Sequence, residues 1–176
     1  MRNFVIAALA IFAFAGFVTS AEARSKARAM TEAGEFAQEL KSSGQFEIES
    51  GSLALRTSNN DQIKNFAQKM IDDHTAADQK LTETLKQENL PAPQYGMDGE
   101  GRDVFNQLTV LQGSDFDRAY VRDQIQAHEK AIELLEAYSK SGDNDALKQL
   151  ASTLLPTVKE HLQMAEGLGS SATARR

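Results

Sequence analysis

Three histidines, His74, His128 and His161, carry most of the chemical potential of this 176-residue chain, which has no cysteine. Each lies in a segment whose apolar residues recur at helical spacing, and each falls on the apolar side. His74 follows Ala67 by seven residues and Met70 by four. His128 follows Val121 by seven and Ile125 by three, and His161 follows Leu154 by seven and Val158 by three. Such offsets stack side chains on one face of a helix. A fourth polar residue joins them from "GQFEIESGSLAL". At about 100° per residue, Ile48, Gly51, Ala54 and Leu55 share one side. Glu47 falls near the middle of that arc, and Glu49 near its edge.

Three imidazoles and a carboxylate meeting in one layer suit a borderline divalent ion: zinc, iron, manganese or copper. Glu47, His74, His128 and His161 are therefore the candidate metal ligands. The neighbouring acids Asp73, Glu129 and Glu160 could accept hydrogen bonds from the far ring nitrogens and orient the rings. Tyr120, in "FDRAY", is grouped with them as a hydroxyl near the layer, although core packing is the commoner role of such a residue. The same groups also fit a metal-free buried network, which is viable only where every member is satisfied. Both readings stay open at this level, and an enzyme using a histidine as base is a third. A dinuclear carboxylate site wants Glu three residues before His. Ile71, Ile125 and Val158 stand there instead, so the di-iron oxidase ligand motif is absent. The methionines are too scattered for a copper-binding methionine box, and no phosphate loop or nucleophile elbow is present.

Four helices must position these residues. The spacing predicts the first over about Thr31 to Arg56, with Gly44 a weak point. "SNND", Ser58 to Asp61, reads as a turn and N-cap cluster. A second helix follows with Ile63, Phe66, Ala67, Met70, Leu81 and Leu85 on one face. "NLPAPQYGMDGEG" cannot continue it; "RDVFNQLTVLQG" reads as a short connecting helix. Ser114 and Asp117 resemble a capping box for the third helix. "SGDND" separates that from a fourth, which carries Leu147, Leu150, Leu154, Val158, Leu162 and Ala165. Pro156 is expected to kink or restart it just before His161. At 1.5 Å per residue, Glu47 and the three histidines fall within roughly one turn of mid-bundle. Two hairpins joined by one long connection between helices two and three predict an all-α, ferritin-like four-helix bundle. A simple up-down-up-down bundle is the alternative.

The ends read differently. "FVIAALAIFAFAGFV" after Arg2 has the length of a signal h-region, and Ala21-Glu22-Ala23 fits a cleavage site. Residues 1–23 are expected to be a signal peptide, with an uncleaved anchor as the alternative. Residues 24–30 are expected to be a linker, 31–168 the helical domain and 169–176 a flexible tail. This predicts a periplasmic or otherwise extracytoplasmic protein with no stable membrane insertion after cleavage. A formal net charge of -6 argues against nucleic acid as a partner. The absence of cysteine excludes thiol catalysis, disulfides and a lipid-anchor cysteine.

Several segments, "GQFEIESGSLAL", "FAQKMIDDH", "GSDFDRAYV" with "HEKAIELL", and "LLPTVKEHLQMA", together resemble the exported bacterial family called domain of unknown function 4142. The resemblance runs from about Thr31 to Leu168. It implies a ferritin-like bundle outside the cytoplasm and no established activity. Its motif positions fall on Glu47, Asp73, His74, Phe116, Asp117, Tyr120, His128, Pro156 and His161. Members are often labelled outer-membrane proteins, a label that no barrel pattern here supports. The expectation is an exported bundle with a transition metal and a role in metal handling or stress defence, or a structural, non-enzymatic bundle held by a Glu–His network.

Overall fold

The computed structural model describes the backbone of residues 20–174 and the side chains of residues 32–170. The expected signal segment thus lies largely outside the described residues. Five helices follow in order: α1 (Ser20–Thr57), α2 (Asp61–Gln87), α3 (Gly99–Thr109), α4 (Gly113–Ser141) and α5 (Asp145–Ala174). No strand occurs among the described residues. Helix α1 begins before the expected Thr31, so residues 24–30 lie within it rather than in a linker. Helix α5 runs on past Leu168.

Local chemistry sets the boundaries. Asn60 caps α2 by accepting from the Gln62 amide at 3.0 Å, as the "SNND" cluster predicts. The α2 C-terminus is closed by Asn89 in the left-handed region, φ 53°, after which Pro91 and Pro93 bar further helix. Asn144 caps α5 through the Leu147 amide at 2.9 Å. The expected Ser114/Asp117 box does not form. Helix α4 already starts at Gly113, its N-cap Gln112 makes no side-chain cap bond, and Ser114 is carried into the first turn. Pro156 sits inside an uninterrupted α5, so the expected restart does not occur.

Helices α1 and α2 form one hairpin and α4 and α5 another; α2 packs on α5 and α1 on α4, which closes the ring. The apolar core falls into two halves. One gathers Phe36 and Ala37 of α1, Leu81 and Leu85 of α2, Leu135 and Tyr138 of α4, and Leu147 and Leu154 of α5. The other gathers Ala54, Phe66, Met70, Phe116, Tyr120 and Ala165. Late α2 and late α4 share the first half, while early α2 and early α4 share the second, so these helices run parallel. Helices α1 and α5 run opposite to both. Between the hairpins, residues 88–112 must therefore traverse the bundle, as in ferritin-like folds. They lie along α1, where the Gln94 amide donates to Gln38 at 2.7 Å and the Asp98 amide to Ser42 Oγ at 2.8 Å. The simple up-down-up-down alternative is excluded by this path.

One glycine fixes how closely the first hairpin packs. A Cβ on Gly51 would stand 2.9 Å from the Ala67 carbonyl oxygen and 3.1 Å from Ile71 Cγ1. Only glycine lets α1 and α2 approach so closely, one turn beyond Glu47 and one to two turns before His74.

Candidate metal centre

The seam between the two apolar halves is polar. His74 on α2, His128 on α4 and His161 on α5 bring their rings together there. Their centroids are 5.8, 5.6 and 5.4 Å apart. One ring nitrogen from each lies within 4.8 Å of the others. His128 and His161 are buried. His74 is half-buried as a residue, yet its Nε2 is sealed from solvent.

Each of two rings is held by a defined partner. His128 Nδ1 donates to the Gln124 carbonyl oxygen at 2.8 Å, one turn back on α4. His161 Nε2 donates to Asp73 Oδ2 at 2.8 Å. These bonds fix which nitrogen bears the proton, and they leave His128 Nε2 and His161 Nδ1 as lone-pair donors. Both of those atoms, and His74 Nε2, are buried without any hydrogen-bond partner. Three orphaned imidazole nitrogens facing one seam are costly unless something accepts their lone pairs.

Burial also keeps the rings uncharged. It pushes His74 down to about 3, with His128 and His161 adding repulsion. Burial pushes His128 down to about 4 against the opposing bond to Gln124. Burial lowers His161 as well, although the Asp73 bond works the other way. At neutral pH the cluster therefore presents neutral imidazoles, the form that binds metal.

Glu47 stands behind this triad. Its Oε1 is 3.9 Å from His128 Nδ1, the nitrogen already committed to Gln124. It does not join the three nitrogens that could converge on one ion. Burial raises its carboxyl to about 8 against a bond from Gln124, so it holds its proton at neutral pH. Its Oε2, Tyr120 Oη and Gln124 Oε1 are further buried atoms without partners. Tyr120 stacks on Phe116 at 5.9 Å, and burial with the nearby Glu47 raises its hydroxyl.

Of the acids expected to orient the rings, Asp73 touches one. Lys69 Nζ reaches the same Asp73 oxygen at 3.0 Å. Partial burial pushes the Asp73 carboxyl up, but the bonds from His161 and Lys69 outweigh it and hold it low. Glu160 points outward and meets Lys69 at 3.8 Å, and Glu129 is exposed. Neither bonds a histidine. The residue that sequence reasoning missed is Gln124. It lies four residues after Tyr120 and four before His128, so a polar stripe at helical spacing was its signal. Its Nε2 donates to Ser50 Oγ at 3.2 Å, which ties α4 to α1.

The triad fits a metal ion. An ion with nitrogen bonds of about 2.0–2.1 Å would hold its nitrogens about 3.4 Å apart, and the three here lie within 4.8 Å of one another. Three neutral imidazoles, two of them with fixed tautomers, suit zinc, copper or iron better than magnesium or calcium.

Comparison with known proteins places the chain. The sequence profile of a domain of unknown function, DUF4142, matches residues 18–168. No curated protein matches the sequence. Among solved structures, CopM in its Cu(II)-bound form superposes with a TM-score of 0.66 at 17% identity, covering 79% of this chain and 96% of that one. CopM in its Cu(I)-bound form gives 0.65 at the same identity and coverage. A DUF305 fragment from Deinococcus radiodurans gives 0.69 at 15% identity, covering 79% of this chain and 96% of that one. These likenesses are of fold.

Proposed function

The chain belongs to the DUF4142 family, and we propose that it binds one divalent transition-metal ion through His74, His128 and His161. The observation that carries this is the set of three buried, neutral ring nitrogens without partners, one from each of three helices. Two of the rings are oriented from behind, by the Gln124 carbonyl and by Asp73. This is the arrangement by which proteins fix metal-ligating histidines. The copper-bound forms of CopM, a protein of like fold, support the choice of a transition metal. Copper stands at the top of the first-row affinity order, and zinc is equally suited to imidazole ligands. Glu47 serves as a proton-bearing neighbour that can ionise when a cation arrives. The signal-like residues 1–23 support an extracytoplasmic site of action, in metal handling or stress defence. Among the described residues, no helix is long and apolar enough to cross a membrane.

A self-satisfied, metal-free network is the weaker reading, because its members do not satisfy one another. Glu47 Oε2, Tyr120 Oη and Gln124 Oε1 are orphaned along with the three ring nitrogens.

The test is titration of the purified chain with Cu(II) and Zn(II) against a competing chelator, beside His74→Ala, His128→Ala and His161→Ala. The expected result is one tightly held ion per chain, lost in each variant. Retention of no ion, or equal retention by the variants, would refute the proposal.

A further inference from the structure

The histidine seam borders a cavity of about 40 Å³, between α1, α2, α4 and α5, and His74, His161 and Asp73 form part of its wall. The remainder is mostly apolar, from Leu40, Ala77, Leu135, Leu154 and Val158. Gly44 contributes no side chain here. A Cβ at that position would stand 4.0 Å from His74 Nδ1, so the glycine keeps this wall thin. A single water needs about 10–15 Å³ on the same measure, so the cavity holds a small molecule of two or three heavy atoms.

The donor set completes the argument. The described residues supply three convergent nitrogens and no fourth protein ligand. Glu47 lies on the other side of the His128 ring, beside the nitrogen that already bonds Gln124. Three protein ligands with one position left to an outside molecule mark reactive or exchanging sites, whereas closed four-ligand sites are structural. We infer that the centre keeps an exchangeable coordination position facing this cavity, and that it takes a small monodentate ligand of two or three atoms. This inference rests on the metal reading above and adds to it the class of ligand. The mostly apolar lining admits small neutral molecules, and singly charged ones whose charge the ion neutralises, and excludes bulky or multiply charged ones.

Azide is the probe, because it is triatomic and its bond to Cu(II) gives a visible charge-transfer absorption. The chain is loaded with copper, its copper content is measured, and it is titrated with azide. Two cavity-filling variants, Ala77→Leu and Thr157→Leu, are treated alike; both positions line the cavity and neither supplies a ligand. The expected result is an azide spectrum in the wild type and binding at least tenfold weaker in either variant that folds, at unchanged copper content. A copper-loaded wild type that gives no azide spectrum overturns this inference and leaves the metal reading standing. Variants that bind azide as the wild type does overturn the cavity as its place. Failure to take up copper or zinc at all overturns both.

Discussion

The two sides of the polar seam are built from similar residue types and behave differently. On the His74–His161 side the groups are linked outward. His161 bonds Asp73, Asp73 pairs with Lys69, and Lys69 reaches Glu160 at the surface. A cavity touches the same rings. On the Glu47 side everything is sealed: Glu47, Ser50 and Gln124 are almost completely buried, and Tyr120 closes the layer beneath Phe66 and Phe116. The charge states follow. Asp73, partly exposed and bonded by His161 and Lys69, is held ionised. Glu47, fully buried and without a cationic partner, keeps its proton up to about 8. One carboxylate orients a ring, and the other is a neutral core residue until something cationic binds. The seam therefore has an exchanging face and a locked face.

The largest expected effect breaks the exchanging face directly. His128→Ala removes a donor that the Gln124 carbonyl has already oriented. Residues that merely orient a ligand are worth about 10–100-fold in metal affinity, so loss of the ligand itself should exceed about a hundredfold. Competition titration with a chelator measures it. An affinity within a few-fold of wild type would mean that the ion sits elsewhere.

Next in size is the response of the metal-free protein to acid. Unfolded imidazoles take their protons near pH 6.5, whereas folded His74 and His128 resist until about 3 and about 4. Between these values the unfolded chain binds more protons, so stability falls as pH falls. Each ring contributes up to about 1.4 kcal/mol per pH unit. Glu47 acts oppositely over the same range and offsets about one ring. The net loss from pH 6.5 to 4.5 should be at least about 2 kcal/mol, read by urea unfolding in chelator. A flat profile would show that the rings are hydrated and outside the core.

How far the sequence revealed these two faces depends on what each is made of. Helical spacing alone brings His74, His128 and His161 onto inner faces at one height, because period and rise are properties of any α-helix. The long connection likewise implies a ferritin-like path. The partition of the seam was not legible. Glu47 lies on the inner arc of α1 as expected, but whether it stands beside or behind the His128 ring depends on a rotamer and on a backbone carbonyl, and neither leaves a mark in side-chain patterning. Asp73 and Glu129 look alike in sequence, each next to a histidine. Asp73 meets a histidine from a neighbouring helix, whereas Glu129 points away from the bundle. The cap expected at Ser114 does not form, and α4 begins one residue earlier, at Gly113.

The locked face gives a smaller, oppositely signed effect. Between pH 6.5 and 8 the folded Glu47 holds a proton that the unfolded chain, with a carboxyl near 4.5, has released. The Glu47 contribution should therefore decline over that window by about 1.5 kcal/mol, and the last protons leaving the unfolded His74 and His128 offset about half of it, so the metal-free protein should lose about 0.8 kcal/mol. Glu47→Gln keeps the shape and removes the titration, so its stability should rise slightly from pH 6.5 to 8 as the unfolded imidazoles lose their last protons. A wild-type decline that persists in the variant would assign it to another group.

The smallest effect separates orientation from ligation on the exchanging face. Asp73→Asn keeps an oxygen within reach of His161 Nε2 but removes the charge that fixes the ring's tautomer and attracts Lys69. Because Asp73 acts through His161, metal affinity should fall by about tenfold, well short of the loss in His161→Ala. In the double variant Asp73→Asn with His161→Ala, the aspartate substitution should add almost nothing, since the ring it orients is gone. Additive losses would instead place the Asp73 carboxylate on the ion, which would make the exchanging face a mixed carboxylate–imidazole site.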